Sequence, residues 1–143
     1  MNFGLLNKIG SSKFFIWMDA IYLPRWDIYA IPKKTAIVEE IEKTALKMDL
    51  IRTWLNRPIY VTSWFRPEKY NSEIGGVKAS KHIMGQAVDF SVKGLLANEV
   101  RELLKPRLIE FNIRMEDLPN SNWVHIDTAC NVSDDLEKRF FKP

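Results

Sequence analysis

A chain of 143 residues, 46% hydrophobic and 27% charged, has the size and make-up of one globular domain, and its composition excludes disordered, collagen-like and disulfide-rich classes. The net charge of +3 is mild and does not call for nucleic acid. Cys130 is the single cysteine, which excludes an intramolecular disulfide and a cysteine-based zinc knuckle.

The reading is one domain over residues 1–143, with an N-terminal aromatic arm at 1–32 and a core at 33–143. Residues 1–12 carry one lysine and no sustained apolar stretch before a small-residue cleavage site, so no signal peptide is read there. No stretch reaches the apolar length of a membrane span. Residues 14–29 are rich in aromatics, contain Pro24 and lead to Pro32. They predict a short helix in a docked arm, its rings serving as packing anchors rather than as a carbohydrate-stacking surface.

Residues 32–57 predict the main helix. Ile37, Ile41, Leu46, Met48, Leu50, Ile51, Trp54 and Leu55 form a broad apolar stripe among lysines and glutamates. Thr35 is the expected cap, and Asn56 before Pro58 marks the end. Residues 59–64 predict a strand and 66–81 a loop with turn chemistry at Asn71 and Gly75-Gly76. Residues 87–92 predict a second strand. Asn98 is the expected cap of a helix to residue 105, with Val100, Leu103 and Leu104 buried and Pro106 interrupting. Residues 108–113 and 123–128 read as strands, and 134–143 as a short helix. Cys130 is expected as a small buried residue beyond the last strand. The fold class is α+β, helices against a small antiparallel sheet.

The chain has two histidines, and both sit in patterned segments. One lies in Ser80-Lys81-His82-Ile83-Met84-Gly85-Gln86-Ala87-Val88-Asp89, the other in Trp123-Val124-His125-Ile126-Asp127. A lone histidine on a strand is more often a packed or surface residue than a ligand. Here Val88, Phe90 and Val92 alternate with Asp89, and Val124 and Ile126 alternate with His125. Each polar side chain therefore leaves the face opposite its apolar neighbours. If the two strands pair, His82, Asp89 and His125 supply two imidazoles and one carboxylate, a set that suits zinc and leaves a fourth position for water.

Ser-x-His-x-x-Gly-x-Ala-x-Asp followed by Trp-x-His-x-Asp resembles the zinc D-alanyl-D-alanine carboxypeptidase family. That family includes phage L-alanyl-D-glutamate endolysins and shares its fold with the Hedgehog signalling domain. The resemblance extends upstream through Val61-Thr62-Ser63-Trp64-Phe65-Arg66-Pro67-Glu68, Asn71 and Gly75-Gly76, and so covers about residues 59–127. It implies zinc on His82, Asp89 and His125, and a peptide of peptidoglycan as partner, with no nucleic acid and no stable membrane insertion. It also implies that Arg66 helps to bind substrate. A guanidinium grips a carboxylate with two parallel hydrogen bonds, whereas without the resemblance Arg66 reads as a surface salt bridge. Ser80 is expected to orient the ligand loop, and Gly85 to allow a tight turn. Gln86 either faces substrate or is an ordinary exposed polar residue. With no signal peptide read, access to the wall is expected by release from the cytoplasm at lysis or by carriage in a virion.

The sequence departs from the family's pattern at the proton-handling residue. Family members carry an acid three residues before the last histidine, or a histidine five before it; here those positions are Asn122 and Asn120. Asp127, Glu116 and Asp117 remain. Asp127 shares a strand face with His125 and either takes a proton or orients a ligand. Glu116 and Asp117 fall in an expected loop. Two functions follow: a zinc peptidase cutting stem peptides as a carboxypeptidase or endolysin-type endopeptidase, or a metal-stabilised structural or wall-binding module, such as a virion component.

Overall fold

Apolar residues three and four apart build the longest element. A computed structural model describes residues 4–129 and 135–143. In it, helix α2 (Thr35–Leu55) buries Ile37, Ile41, Thr44, Ala45, Met48 and Ile51. Helix α1 (Trp17–Ile21) and a two-stranded hairpin of β1 (Tyr22–Leu23) and β2 (Ile28–Tyr29) precede it. Asn56 ends α2 in the left-handed region, φ 51°, a conformation asparagine tolerates, and its N–H bonds the Arg52 carbonyl. The cap position is Lys34 rather than Thr35, which is the first helical residue. Leu46 and Leu50 are 45% and 47% exposed. At 100° per residue they lie well around the helix from Ile41, so the buried stripe is narrower than the sequence predicts.

Strand β3 (Ile59–Ser63) follows, then helix α3 (Glu68–Glu73), strand β4 (Ala87–Val92) and helix α4 (Ala97–Leu104). A 3₁₀ turn, Lys105–Arg107, carries the chain into helix α5 (Leu108–Phe111). Strands β5 (Arg114–Glu116) and β6 (Val124–Asp127), helix α6 (Leu136–Arg139) and strand β7 (Phe140–Phe141) complete it. The fold is α+β, with a five-stranded sheet in the order β3-β4-β6-β5-β7. All pairings are antiparallel except the parallel β5–β7 edge.

Three local expectations are corrected. Residues 66–81 contain α3, too short and too polar to show periodicity, with Tyr70 and Asn71 its buried residues. Residues 108–113 are helical at first: Leu108 and Phe111, three apart, are buried, and Asn112 closes the turn at φ 53°. The strand begins only at Arg114. In α4, Asn98 lies inside the helix rather than capping it; Leu96 N–H is bonded by the Glu99 carboxylate at 2.9 Å. Leu103 is exposed there, while Arg101 is buried.

One apolar cluster joins the arm to the sheet, from Ile9, Phe15, Trp17 and Ile21 through Ile41 and Met48 to Phe90, Met115 and Ile126. Each such side chain contributes about 1.5–3 kcal/mol on burial. Asp49 of α2 anchors the arm, accepting from Ser12 Oγ and Lys13 N–H, both at 2.8 Å. The Cys130 expectation lies outside the described residues. No helix among the described residues is long and apolar enough to cross a membrane.

Candidate metal centre

Alternation gives the sheet one apolar face and one polar face. Val88, Phe90, Met115, Val124 and Ile126 are fully buried in the core. The residues between them project the other way. Register then lines them up. Ser63 pairs with Asp89, Asp89 with His125, and Glu116 stands opposite His125, because Met115 pairs with Ile126 in the same antiparallel ladder. One row across four strands thus reads Ser63, Asp89, His125, Glu116. A register irregularity between Val61 and Ser63 aims β3 into this row, as bulges beside functional sites do.

His82 arrives from the turn before β4. Its ring Nδ1 is 2.7 Å from the Trp64 carbonyl, which can only accept, so Nδ1 carries the hydrogen and Nε2 presents its lone pair to Asp89 Oδ1 at 3.2 Å. Ser80 Oγ accepts from His82 N–H at 3.2 Å. Arg66 N–H bonds the His82 carbonyl at 3.0 Å. Gly85 sits at φ +76°, where a Cβ would come within 2.6 Å of Ile41 and 3.3 Å of the Ile37 carbonyl. Glycine is required at this turn both by conformation and by space.

Asp89 Oδ1 meets both imidazoles, with His125 Nδ1 at 2.8 Å. Asp89 Oδ2 accepts from Arg66 Nη2 at 3.1 Å. The remaining Arg66 nitrogens bond Ser63 Oγ at 2.8 Å and Asn71 Oδ1 at 3.3 Å. On the far side of His125, Nε2 lies 3.4 Å from Asp127 Oδ2. Asp127 is fully buried and gripped at both oxygens by Arg114, at 2.8 and 2.9 Å. The Phe141 ring stands edge-on to His125 at 6.1 Å, with the Arg114 guanidinium 4.2 Å from its centre.

Charge follows from these contacts. Burial alone would raise the Asp89 carboxyl, but the hydrogen bond from His125, with the His82 ring beside it, holds it well below the usual carboxylate range. Burial depresses His82 more than Asp89 raises it, which leaves a neutral imidazole. His125 resists burial: Asp127 and Asp89 on opposite ring nitrogens push it up to about 9.

The donor set fits zinc. The ligand atoms of His82, Asp89 and His125 all lie within 4.8 Å of one another. The 3.2 and 2.8 Å separations approach the spacing of about 3.3 Å that donors keep around a tetrahedral zinc. Each also has an outer partner to fix it: the Trp64 carbonyl for His82, Arg66 for Asp89 and Asp127 for His125.

The three donors open into a cleft of about 320 Å³, also lined by Arg66, Ser80, Glu116, Leu118 and Trp123. Of the other residues singled out in the sequence, Gln86 does not line it; its amide donates to Glu40 on α2 at 3.1 Å. Asp117 is likewise absent from the lining. Glu116, expected in a loop, lies on β5 with its carboxylate 3.7 Å from His125 Nδ1. Two supports had no assigned role in the sequence. Arg114 holds Asp127, and Arg101 donates to the carbonyls of Trp123 at 2.8 Å and Ser121 at 3.0 Å, fixing the entry to β6. The signal for β5 was available in Arg114-Met115-Glu116, charged, apolar, charged, but three residues are a weak alternation.

Residues 29–127 match a family model described as Peptidase M15. That span takes in Arg66, His82, Asp89, Glu116 and His125 and stops before β7. A search of curated proteins finds no match.

Proposed function

Since the chain belongs to the peptidase M15 family, we propose that it is a zinc-dependent peptidase that hydrolyses an amide bond in peptidoglycan stem peptides, as a carboxypeptidase or an endolysin-type endopeptidase. The observation that carries this reading is the convergence of His82 Nε2, Asp89 Oδ1 and His125 Nδ1 at a cleft also lined by Arg66 and Glu116. Those three atoms would hold the metal. Zinc, when bound, supplies Lewis acidity to an amide carbonyl and lowers the pKa of a water it carries.

The chain's own residues do the rest. Arg66 spends one N–H each on Ser63, Asn71 and Asp89. A guanidinium has five, so two remain for a substrate carboxylate while the same group steadies Asp89. Asp127 orients His125: it has no exposed surface, and Arg114 already occupies both of its oxygens. Ser80 holds the backbone of the ligand turn. Trp123, 40% exposed at the cleft, offers an apolar wall to a peptide.

Incubation of zinc-loaded protein with purified peptidoglycan tests this, with mass spectrometry of the new amino and carboxyl termini. Release of a terminal D-alanine identifies a carboxypeptidase, and new internal termini an endopeptidase. No cleavage of any wall preparation, with one equivalent of zinc bound, returns the chain to a metal-stabilised structural or wall-binding module.

A further inference from the structure

We propose that Glu116 is the catalytic residue that moves the proton in this chain, supplied from the neighbouring strand β5 in place of the acid absent at Asn122 and Asn120. The inference rests on the peptidase reading above and adds the one group that reading lacks.

Amide hydrolysis needs a carboxylate that faces the substrate and is free to change protonation. Asp127 fails on both counts, being fully buried with both oxygens engaged by Arg114. Asp117 does not line the cleft. Asn120 and Asn122 carry no acid. Glu116 lines the cleft with Arg66, His82, Asp89 and His125. Its register places it directly across from His125, on the side opposite Asp89.

Distance separates this role from that of a ligand. Glu116 Oε2 is 3.7 Å from His125 Nδ1, too far for a hydrogen bond and outside the three-residue donor group. It stands next to the nitrogen that faces the metal position without belonging to the set. Among the described residues no hydrogen bond ties its carboxylate down, its approach to His125 at 3.7 Å aside, whereas Asp89 and His125 are each held by two or more partners. The strand fixes where Glu116 stands and leaves its head group free to accept and return a proton.

The step balances without a further reagent. A water oxygen bonds to the acyl carbon while Glu116 accepts one of that water's protons. The carbon–nitrogen bond then breaks, and Glu116 delivers the proton to the departing nitrogen. One carboxyl and one amine leave, and Glu116 is again a carboxylate.

The test uses the zinc-loaded full chain and muropeptides, the peptide-bearing disaccharides released from peptidoglycan by a muramidase. Glu116→Gln should keep one equivalent of zinc and bind muropeptide within about threefold of the unmodified protein, while turnover falls at least about a hundredfold. Added formate should restore part of the turnover to Glu116→Ala, whose cavity admits a small carboxylate, and none to Glu116→Gln. Loss of zinc in step with turnover in both variants would make Glu116 a ligand and overturn the inference. So would an active Glu116→Gln, or a Glu116→Ala that folds, binds zinc and is deaf to formate. An unmodified protein that holds zinc and cleaves nothing overturns the peptidase reading and this inference with it; an active unmodified protein beside an equally active Glu116→Gln overturns this inference alone.

Discussion

Arg114 and Asp127 meet side by side across β5 and β6, Nε to Oδ1 at 2.8 Å and Nη2 to Oδ2 at 2.9 Å. This two-pronged pair fixes the carboxylate against Nε2 of His125, so the ring's other nitrogen is aimed at Asp89. A buried carboxylate held this way acts on a metal through the histidine between them.

Asp127→Asn should therefore weaken zinc affinity by about 10- to 100-fold, with activity falling in parallel. Competition against a chelator of known affinity measures the first and muropeptide turnover the second. Full zinc affinity with lost turnover would assign Asp127 to proton transfer instead.

Arg66→Lys keeps a positive charge beside Asp89 but cannot bridge Ser63, Asn71 and Asp89 with one planar group. Zinc content should stay near one equivalent, while kcat/KM falls by at least about fivefold, or about 1 kcal/mol. Steady-state kinetics with unchanged kcat/KM would leave Arg66 as a mere structural ion pair.

His125 makes zinc uptake pH-dependent. With its pKa pushed up to about 9 in the metal-free chain, the ring holds a proton at pH 7.5 that a metal must displace. Calorimetric titration with zinc in buffers of different ionisation enthalpy should report close to one proton released. The same shift has a sign for stability. A histidine raised from its ordinary 6.5 to about 9 contributes stability fully below pH 6.5 and loses it as pH climbs through 9. His82, shifted the other way, acts below its ordinary value and does not oppose this. The melting temperature of the metal-free protein should fall between pH 6.5 and 9, and a flat profile would contradict the Asp89–His125–Asp127 contacts.

Gly85→Ala should lower the melting temperature by several degrees, since the new methyl needs a left-handed backbone and lands 2.6 Å from Ile41. The cost is about 1–3 kcal/mol. Because Gly85 closes the turn that carries His82, zinc affinity should drop as well. An unaltered thermal scan would show that the turn relaxes freely.

The strands that carry the candidate metal donors could be read in the sequence because β4 and β6 alternate cleanly, with Val88, Phe90, Val124 and Ile126 facing one way and Asp89 and His125 the other. Period two fixes the face, but it does not fix the neighbour. Nothing in the residues stated that β5 would lie beside β6 and bring Glu116 to His125; that follows from strand order. Residues 108–113 read as strand because apolar residues crowd a short span, while the helical spacing of Leu108 and Phe111 emerges only against the core. Arg101 has no assigned role in the sequence; burial of its guanidinium is stabilised by backbone carbonyls, and no side-chain pattern announces those. The family resemblance rested on the motifs around His82, Asp89 and His125, and the match over residues 29–127 spans them all.

The row Ser63, Asp89, His125, Glu116 gathers side chains that are far apart along the polypeptide, and β7 adds Phe141 beyond them. Arg139, buried and bonded to the Ile113 carbonyl at 3.1 Å and Asn112 Oδ1 at 3.0 Å, ties this last strand to β5. During synthesis, a ribosome that has released residue 89 has made two of the three candidate donors, but neither His125 nor the Asp127–Arg114 pair that holds its far side. Pairings of such long sequence separation form late. A complete donor set therefore exists only once residue 125 has emerged, and metal uptake that needs all three donors follows the pairing of β4 with β6 rather than preceding it.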